Sequence, residues 1–361
     1  MRMHGSAREL LSHMELLGLA SIMAEMGAHA ERRAGHAMAT SPILLGWESP
    51  DTMVLRTVGG DVSVEDVAAS VHEYLGLLAG EADVISRSVP VGGKPHSPLS
   101  PRVAPVMTRE ELESYQDVRT DILDEVGGEN RLFERLVSSL GFPAYWTERN
   151  DGSKGTPDLY QGASRWEMAP RNQGSEFMRQ KYLENMRACA GLSEDDIAAR
   201  IRGEKAESLG KERNACGLHA PAHLDVLMTW IALNGISQLP TRPVTDGAVG
   251  SISTGVIVAK VGGRRRTFFV LPVTSNPVTL ERYAAICRSS AICRLASHAL
   301  SVAPRTGRIS SDPELEHARS WLRAHGVGRV AVFERHVGGT SSCPEYYALD
   351  GSLVAVEGGR P

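Results

Sequence analysis

Three consecutive arginines, Arg264, Arg265 and Arg266, stand in the segment VGGRRRTFFVLPV between a glycine pair and an apolar run. A guanidinium group makes paired hydrogen bonds to phosphate oxygens, so such a cluster can hold a polyanion. The whole chain carries a formal net charge of -4, which makes the cluster a local feature. In a β-strand Arg264 and Arg266 share one face and Arg265 lies on the other, which leaves them no role in a core. Two interpretations follow: a solvated hairpin turn, or a finger that contacts phosphate.

A second polar segment, SRWEMAPRNQGSEF, leads into a predicted helix. Backbone N–H groups and the dipole at a helix N-terminus favour a bound anion. Amide side chains can read adenine, arginine can read guanine, and tryptophan can stack on a base. The candidate nucleic-acid contacts here, together with one lysine of the preceding polar loop, are Arg165, Trp166, Arg171, Asn172, Gln173 and Lys154. The alternative is an ordinary loop in which Ser175 caps the helix and the amides are solvated.

The best metal-ligand spacing lies in GLHAPAHLDV, where His219 and His223 are four residues apart and Asp225 follows. Two histidines at this spacing on one helix face can bind zinc. Pro221 between them predicts a helix start, however, which would place His219 outside the regular helix. No glutamate completes an H-E-x-x-H arrangement. We predict no metal site, and a metal-dependent hydrolase centred on these residues stays the alternative function.

Signatures of other enzymes are missing from the sequence, which has no G-x-S-x-G, no Walker loop and no G-x-G-x-x-G after a strand. Cys287 and Cys293 lie beside arginines, but their spacing with Ile286 and Ile292 predicts buried core cysteines. We predict no catalytic residue and no cofactor. The opening MRMHGSARELLSHMELLG lacks the apolar stretch of a signal peptide, and the longest apolar run is too short to cross a bilayer. We therefore expect a cytoplasmic protein.

The elements that must position these residues are helices mixed with short strands. Periodicity and capping residues predict helices over Ser6–Gly27, Asp61–Leu78, Glu110–Leu140, Phe177–Ala190, Ser193–Gly210, Pro221–Leu233, Leu280–Leu295 and Pro313–His325. Runs of β-formers predict strands over Ile43–Trp47, Thr52–Val58, Gly255–Val261, Arg264–Val273, Gly328–Arg335 and Tyr346–Val356. Long loops are predicted over Pro90–Pro105 and Thr147–Gly162.

This order contains no βαβ series, so it predicts an α+β fold with short antiparallel strands and hairpins in two to three subdomains. The first, residues 1–146, would be an N-terminal α+β domain. Residues 147–215 would form a polar loop and a helical middle segment, and residues 216–361 a C-terminal α+β domain with the basic hairpin. The Gly262-Gly263 pair between two β-rich runs is the signal for that hairpin.

Three segments carry a family resemblance. PAHLDVLMTWIALNGISQLPTRPVTDGAVGSISTGV, with the hairpin that ends in FFVLPV, resembles the large subunits of type I CRISPR surveillance complexes (Cascade), notably of compact subtypes. RWEMAPRNQGSEF looks like a central segment of those subunits, and ELLSHMELLGLASIMAEMG with ILLGWES and TMVLRT is similar to their opening. The chain is short for that family and lacks an obvious long C-terminal helical bundle.

The resemblance implies a non-enzymatic subunit that recognises the short motif flanking the target. It would grip the guide-RNA handle or the DNA duplex and help to recruit a helicase-nuclease. The implied partners are guide RNA, target DNA and the other subunits of the complex, with no membrane. A function of the missing bundle would then belong to a separate small subunit.

Overall fold

The computed structural model describes residues 1–34, 41–101, 107–143, 162–167, 177–209, 225–243, 251–301, 312–340 and 343–357. Within these ranges helices combine with small antiparallel sheets, which confirms the predicted α+β class. The helices described are α1 Leu10–Ala34, α2 Val64–Gly80, α3 Ala82–Ile85, α4 Arg109–Gly127, α5 Arg131–Ser139, α6 Leu183–Cys189, α7 Glu194–Ile201, α8 Val226–Asn234, α9 Leu280–Arg288, α10 Ser290–Ser301 and α11 Pro313–Ala324. The strands described are β1 Arg2–His4, β2 Ile43–Ser49, β3 Thr52–Thr57, β4 Gly60–Asp61, β5 Val89–Val91, β6 Lys94–His96, β7 Thr241–Pro243, β8 Ser251–Ser253, β9 Val256–Val261, β10 Arg264–Thr274, β11 Val278–Thr279, β12 Val327–Thr340, β13 Cys343–Ala348 and β14 Ser352–Ala355. No helix of these ranges is long and apolar enough to cross a membrane.

Two five-stranded antiparallel sheets dominate the described part of the chain. The first has the order β1-β3-β2-β11, with β4 also paired to β3. The second has the order β13-β12-β10-β9, with β14 also paired to β12. In the first sheet β11 pairs with Leu44 and Leu45 of β2, so the N-terminal and C-terminal parts of the chain share it.

The second sheet is packed on both faces over most of its length. Successive residues of a strand point to opposite faces, and β10 alternates accordingly. Phe269, Leu271 and Val273 enter the large core that contains α1. Phe268 and Val270 enter a smaller core with residues of α9, α10 and α11. At the start of β10 residues 264–266 are exposed, whereas Ala259 and Val261 of the paired strand β9 still pack against the smaller core.

Helix α1 is buried along most of its length, as its apolar sequence predicts. It packs closely against α8 at a glycine. A Cβ on Gly18 would overlap the carbonyl group of Ile231, so only glycine allows this approach of the two backbones. The predicted start of the helix is wrong. Ser6 Oγ accepts a hydrogen bond from the Arg8 amide at 3.2 Å in a turn, and the helix begins four residues later, at Leu10.

Two long predicted helices are each divided by an internal cap. The segment predicted as Glu110–Leu140 breaks between α4 and α5, where Asn130 Oδ1 accepts from the Phe133 amide at 2.9 Å. The segment predicted as Leu280–Leu295 breaks between α9 and α10, where Ser289 is extended (φ -73°, ψ 147°). Asparagine and serine favour caps because their side chains bond nearby backbone N–H groups. Apolar periodicity continues through both breaks, which is why it missed them.

Of the segment predicted as the helix Ser193–Gly210, the described residues are helical only over α7. Its residues from Ile197 to Ile201 are buried, including Arg200. The predicted loop Pro90–Pro105 contains the short β5–β6 hairpin. The predicted last strand Tyr346–Val356 is two strands, β13 and β14, and β1 was not predicted at all.

His13 of α1 lies between the two sheets, and its burial contributes to the pH dependence of stability. Its ring centroid is 4.7 Å from that of Trp47 and 5.5 Å from that of Phe333. Its Nε2 lies 3.0 Å from the carbonyl oxygen of Ala7. Burial lowers the pKa of His13 from 6.5 to about 4. The folded state therefore binds fewer protons than the unfolded state between these pH values.

We expect His13 to lower the free energy of unfolding by about 3 kcal/mol as the pH drops from 6.5 to about 4. Burial raises the pKa of Glu15 to about 8, which acts in the opposite direction over this window, so the contribution of His13 is measured as the difference in pH dependence between the wild type and a His13 variant in urea unfolding. The variant His13→Gln is expected to be less stable at neutral pH but to have a flatter pH dependence. Equal pH dependence in the wild type and the variant would show that His13 is not the group responsible.

Candidate functional site

The basic hairpin predicted from the sequence is present. Strands β9 and β10 pair from Val261 and Arg264 at the turn to Val256 and Phe269. Gly262 and Gly263 form the turn with φ of +58° and +80°. A two-residue turn with positive φ at both positions matches the twist of the strands and favours glycine. The glycine pair therefore sets the register that places each arginine.

The three arginines are exposed and lie on both faces of the hairpin, as predicted. Arg266 Nη1 is 2.7 Å from Glu334 Oε1 of β12, an ion pair near the surface. For Arg264 and Arg265 no ion pair or side-chain hydrogen bond is found with any residue of the described ranges. Arg265 lies directly opposite Lys260 across the hairpin. Two like charges thus face each other at the tip.

Lys260 was not among the residues predicted to bind nucleic acid, although the sequence contains the signal for it. In a two-residue hairpin the residues at equal distance from the turn are partners, so Gly262-Gly263 pairs Val261 with Arg264 and Lys260 with Arg265. A second basic side chain, Arg335 of β12, lies 3.9 Å from the centroid of the Tyr346 ring on β13. No local signal predicts that contact, because it depends on the register of β12 and β13.

Trp166 is part of the core, so its predicted stacking on a base is wrong. Only 2% of its surface is exposed. Its indole Nε1 donates to the carbonyl oxygen of Thr254 at 2.7 Å, and its ring centroid is 4.4 Å from that of Phe269. The Arg165 amide donates to Ser253 Oγ at 2.8 Å, which fixes this segment against β8. The indole ring that was predicted to stack on a base instead packs against Phe269 of β10.

The other predicted contacts of this polar region are Lys154, Arg171, Asn172 and Gln173. They lie outside the described residues, as does the alternative cap Ser175. The candidate site that the structure describes is therefore the hairpin tip and the sheet surface beside it.

Asp225 was predicted as a ligand of the alternative metal site, but in the structure it is a structural residue. It caps α8: its Oδ1 accepts from the Met228 amide at 3.0 Å. Its Oδ2 accepts from Arg200 Nη1 at 2.5 Å and from the Glu207 amide at 2.9 Å. Both carboxylate oxygens are thus engaged in a site where Arg200 and Asp225 are each less than a tenth exposed.

The predicted helix start at Pro221 is also wrong, because α8 begins at Val226 behind the Asp225 cap. His219 and His223 lie outside the described residues. Within the described ranges no group of three histidine, cysteine or acidic side chains is placed to hold a metal ion.

Cys287 and Cys293 fit the prediction of core cysteines. Cys287 is 1% exposed, and burial raises the pKa of its thiol. Burial also raises the pKa of the partly buried Cys293. A thiol with a raised pKa is protonated near neutral pH and is a poor nucleophile.

Searches of protein-family models, of curated proteins and of solved structures find no match to this chain.

Proposed function

We propose that this chain is a non-catalytic nucleic-acid-binding subunit of a type I CRISPR surveillance complex. The basic hairpin would contact the phosphate backbone of guide RNA or target DNA next to the flanking motif. The observation that supports the proposal best is the pair of exposed arginines, Arg264 and Arg265, that have no acidic partner in the described part of the chain.

The placement of charge at the hairpin tip favours an anionic ligand. Like charges directly opposite each other in a sheet destabilise it, and Arg265 faces Lys260 in this way. The presence of Lys260 and Arg265 at these two positions is therefore not explained by a contribution to the stability of the hairpin. A phosphate group between or beside them would offset the repulsion through charge-assisted hydrogen bonds.

The identity of the complex comes from the family resemblance of the sequence. In that setting the partners are guide RNA, target DNA, the other subunits and a helicase-nuclease recruited on target binding, all in the cytoplasm. A chain with net charge -4 supplies only part of a basic groove. We therefore propose that neighbouring subunits supply the rest, and we expect weak binding by the chain alone. The alternative hydrolase would have to work without Asp225 as a ligand, because both of its oxygens are engaged.

The variant Arg264→Ala/Arg265→Ala is expected to bind nucleic acid at least about tenfold more weakly than the wild type. Two hydrogen bonds between charged groups account for a loss of this size. Fluorescence anisotropy of short labelled DNA, single-stranded and duplex, measures the affinity of the full-length chain at low ionic strength.

The matched control is Arg87→Ala/Arg109→Ala. It also removes two positive charges, but from arginines that form surface ion pairs with Glu125 and Glu113. It is expected to bind as the wild type does. Equal losses in the two double variants would mean that only net charge matters, and an unchanged affinity of the hairpin variant would contradict the proposal.

A further inference from the structure

The second sheet has a partly exposed surface beside the hairpin tip, which we call the distal sheet face. Residues that are direct partners in neighbouring strands lie on the same face. Thr267 is the partner of both Val258 and Arg335, Lys260 is the partner of Arg265, and Val337 is the partner of Tyr346. The distal sheet face consists of the exposed residues Val258, Lys260, Arg265 and Val337 and the half-buried residues Thr267, Arg335 and Tyr346.

This face continues the packed face of the same sheet. One pair of residues closer to the core, Phe269 lies opposite Phe333, both are fully buried, and Trp166 covers Phe269. At the distal sheet face Val258 and Val337 are 54% and 55% exposed, and no aromatic side chain of the described residues covers them as Trp166 covers Phe269. Single exposed valines are common on protein surfaces, so Val258 and Val337 matter here only in combination with the three basic side chains and Tyr346 of the same face.

The distal sheet face combines three kinds of side chain. Lys260 and Arg265 provide exposed positive charge. Arg335 lies over the Tyr346 ring, with 3.9 Å between Cζ and the ring centroid, a cation–π contact that holds both groups on the sheet. The valines provide apolar contact area.

We propose that the distal sheet face binds single-stranded nucleic acid, with bases against Val258, Val337 and the Arg335–Tyr346 pair. Phosphates would lie on Lys260 and Arg265. The inference rests on the proposed function and names the form of nucleic acid that this surface takes. Aromatic rings and guanidinium planes on a sheet stack with unpaired bases, and a four-stranded sheet has room for two or three of them.

A duplex fits this surface less well. Its bases are stacked inside, so it offers a flat sheet only phosphate and sugar. The valines and Tyr346 would then face a charged backbone without apolar contact. The four strands β9, β10, β12 and β13 span roughly 14 Å at the usual spacing between strands, too broad for either groove of B-DNA. A single strand supplies base faces for the apolar residues and phosphates for the basic ones.

The test compares a short pyrimidine strand, its duplex and poly-glutamate as ligands of the full-length chain at low ionic strength. We expect the single strand to bind several-fold more tightly than the duplex. Tyr346→Ala is expected to weaken single-strand binding about fivefold or more and to leave duplex binding unchanged, as the loss of one base stack implies. Tyr346→Phe keeps the ring and is expected to recover most of the single-strand affinity that Tyr346→Ala loses.

Two controls match these changes. Tyr347 is the next residue of β13 and lies on the opposite face, where its ring centroid is 4.9 Å from that of His336. Tyr347→Ala is expected to have no effect on single-strand binding. Val337→Glu adds a negative charge to the distal sheet face and is expected to weaken binding, whereas Val58→Glu adds the same charge at a 65% exposed site elsewhere and is not.

The outcomes separate this inference from the proposed function. If the hairpin double variant loses affinity while Tyr346→Ala has no effect and the duplex binds as well as the single strand, the inference is wrong and the proposed function stands. Tighter binding of poly-glutamate than of either DNA form would overturn both, in favour of an acidic protein partner.

Cross-linking gives an answer that does not depend on the folding of any variant. A single strand that contains 5-iodouracil is irradiated with the wild-type chain, and the modified peptides are mapped. Cross-links in β9, β10, β12 or β13 at the distal sheet face support the inference, and cross-links found only elsewhere contradict it.

Discussion

Replacing Asp225 by alanine is expected to lower the free energy of unfolding by about 3–5 kcal/mol. The substitution leaves the guanidinium group of Arg200 buried without its closest partner, 2.5 Å away. It also removes the cap of α8, which contributes about 1 kcal/mol by itself. Glu207 Oε2, 2.8 Å from Arg200 Nη2, compensates only in part because its side chain is 64% exposed. Chemical unfolding of the wild type and the variant measures the difference.

Two further variants separate the contributions. Asp225→Asn keeps an oxygen for the cap and removes the charge, so its loss is expected to be smaller than that of Asp225→Ala. Glu207→Ala breaks only the exposed ion pair and is expected to cost at most about 1 kcal/mol. A stable Asp225→Ala variant that had lost bound zinc would instead restore the metal-site alternative.

Replacing Trp166 by alanine is expected to cost about 3–5 kcal/mol, the usual range for a large aromatic residue in a core. The change uncovers Phe269 and leaves the carbonyl oxygen of Thr254 without its indole donor. Thermal or urea unfolding measures the loss. Trp166→Phe keeps an aromatic ring without the N–H donor and is expected to lie between the wild type and the alanine variant.

The neighbouring Arg165→Ala is the control, because its backbone amide holds Ser253 Oγ and survives the substitution. We expect it to be much more stable than Trp166→Ala. A Trp166→Ala variant of normal stability and reduced DNA affinity would favour the stacking role that the sequence suggested for this residue.

The hairpin could be predicted from sequence because its determinants are local. Gly262 and Gly263 select the turn, and apolar residues on both sides define the strands. The same two glycines fix the partner of every arginine, so the charged tip required no knowledge of the rest of the fold.

Trp166 and Asp225 could not be assigned from sequence because their roles depend on distant partners. Trp166 packs against Phe269, far along the chain, and Asp225 pairs with Arg200 of another helix. Both are polar or amphipathic residues in loop-like segments, where sequence patterns favour a binding role. Both residues are instead buried and have structural roles, and their burial follows from the tertiary fold. The Arg335–Tyr346 pair was missed for the same reason, since the β12–β13 register brings it together.

If Arg264 and Arg265 bind phosphate as proposed, their contribution will be visible in the salt dependence of binding. The affinity of the full-length chain for a labelled single strand is measured over a series of salt concentrations, for the wild type and for Arg264→Ala/Arg265→Ala. Because each phosphate that the protein neutralises releases counterions, we predict that the slope of log K against log salt becomes shallower by about 0.7 for every phosphate that the variant no longer binds. A folded double variant with the slope of the wild type would show that Arg264 and Arg265 do not bind phosphate.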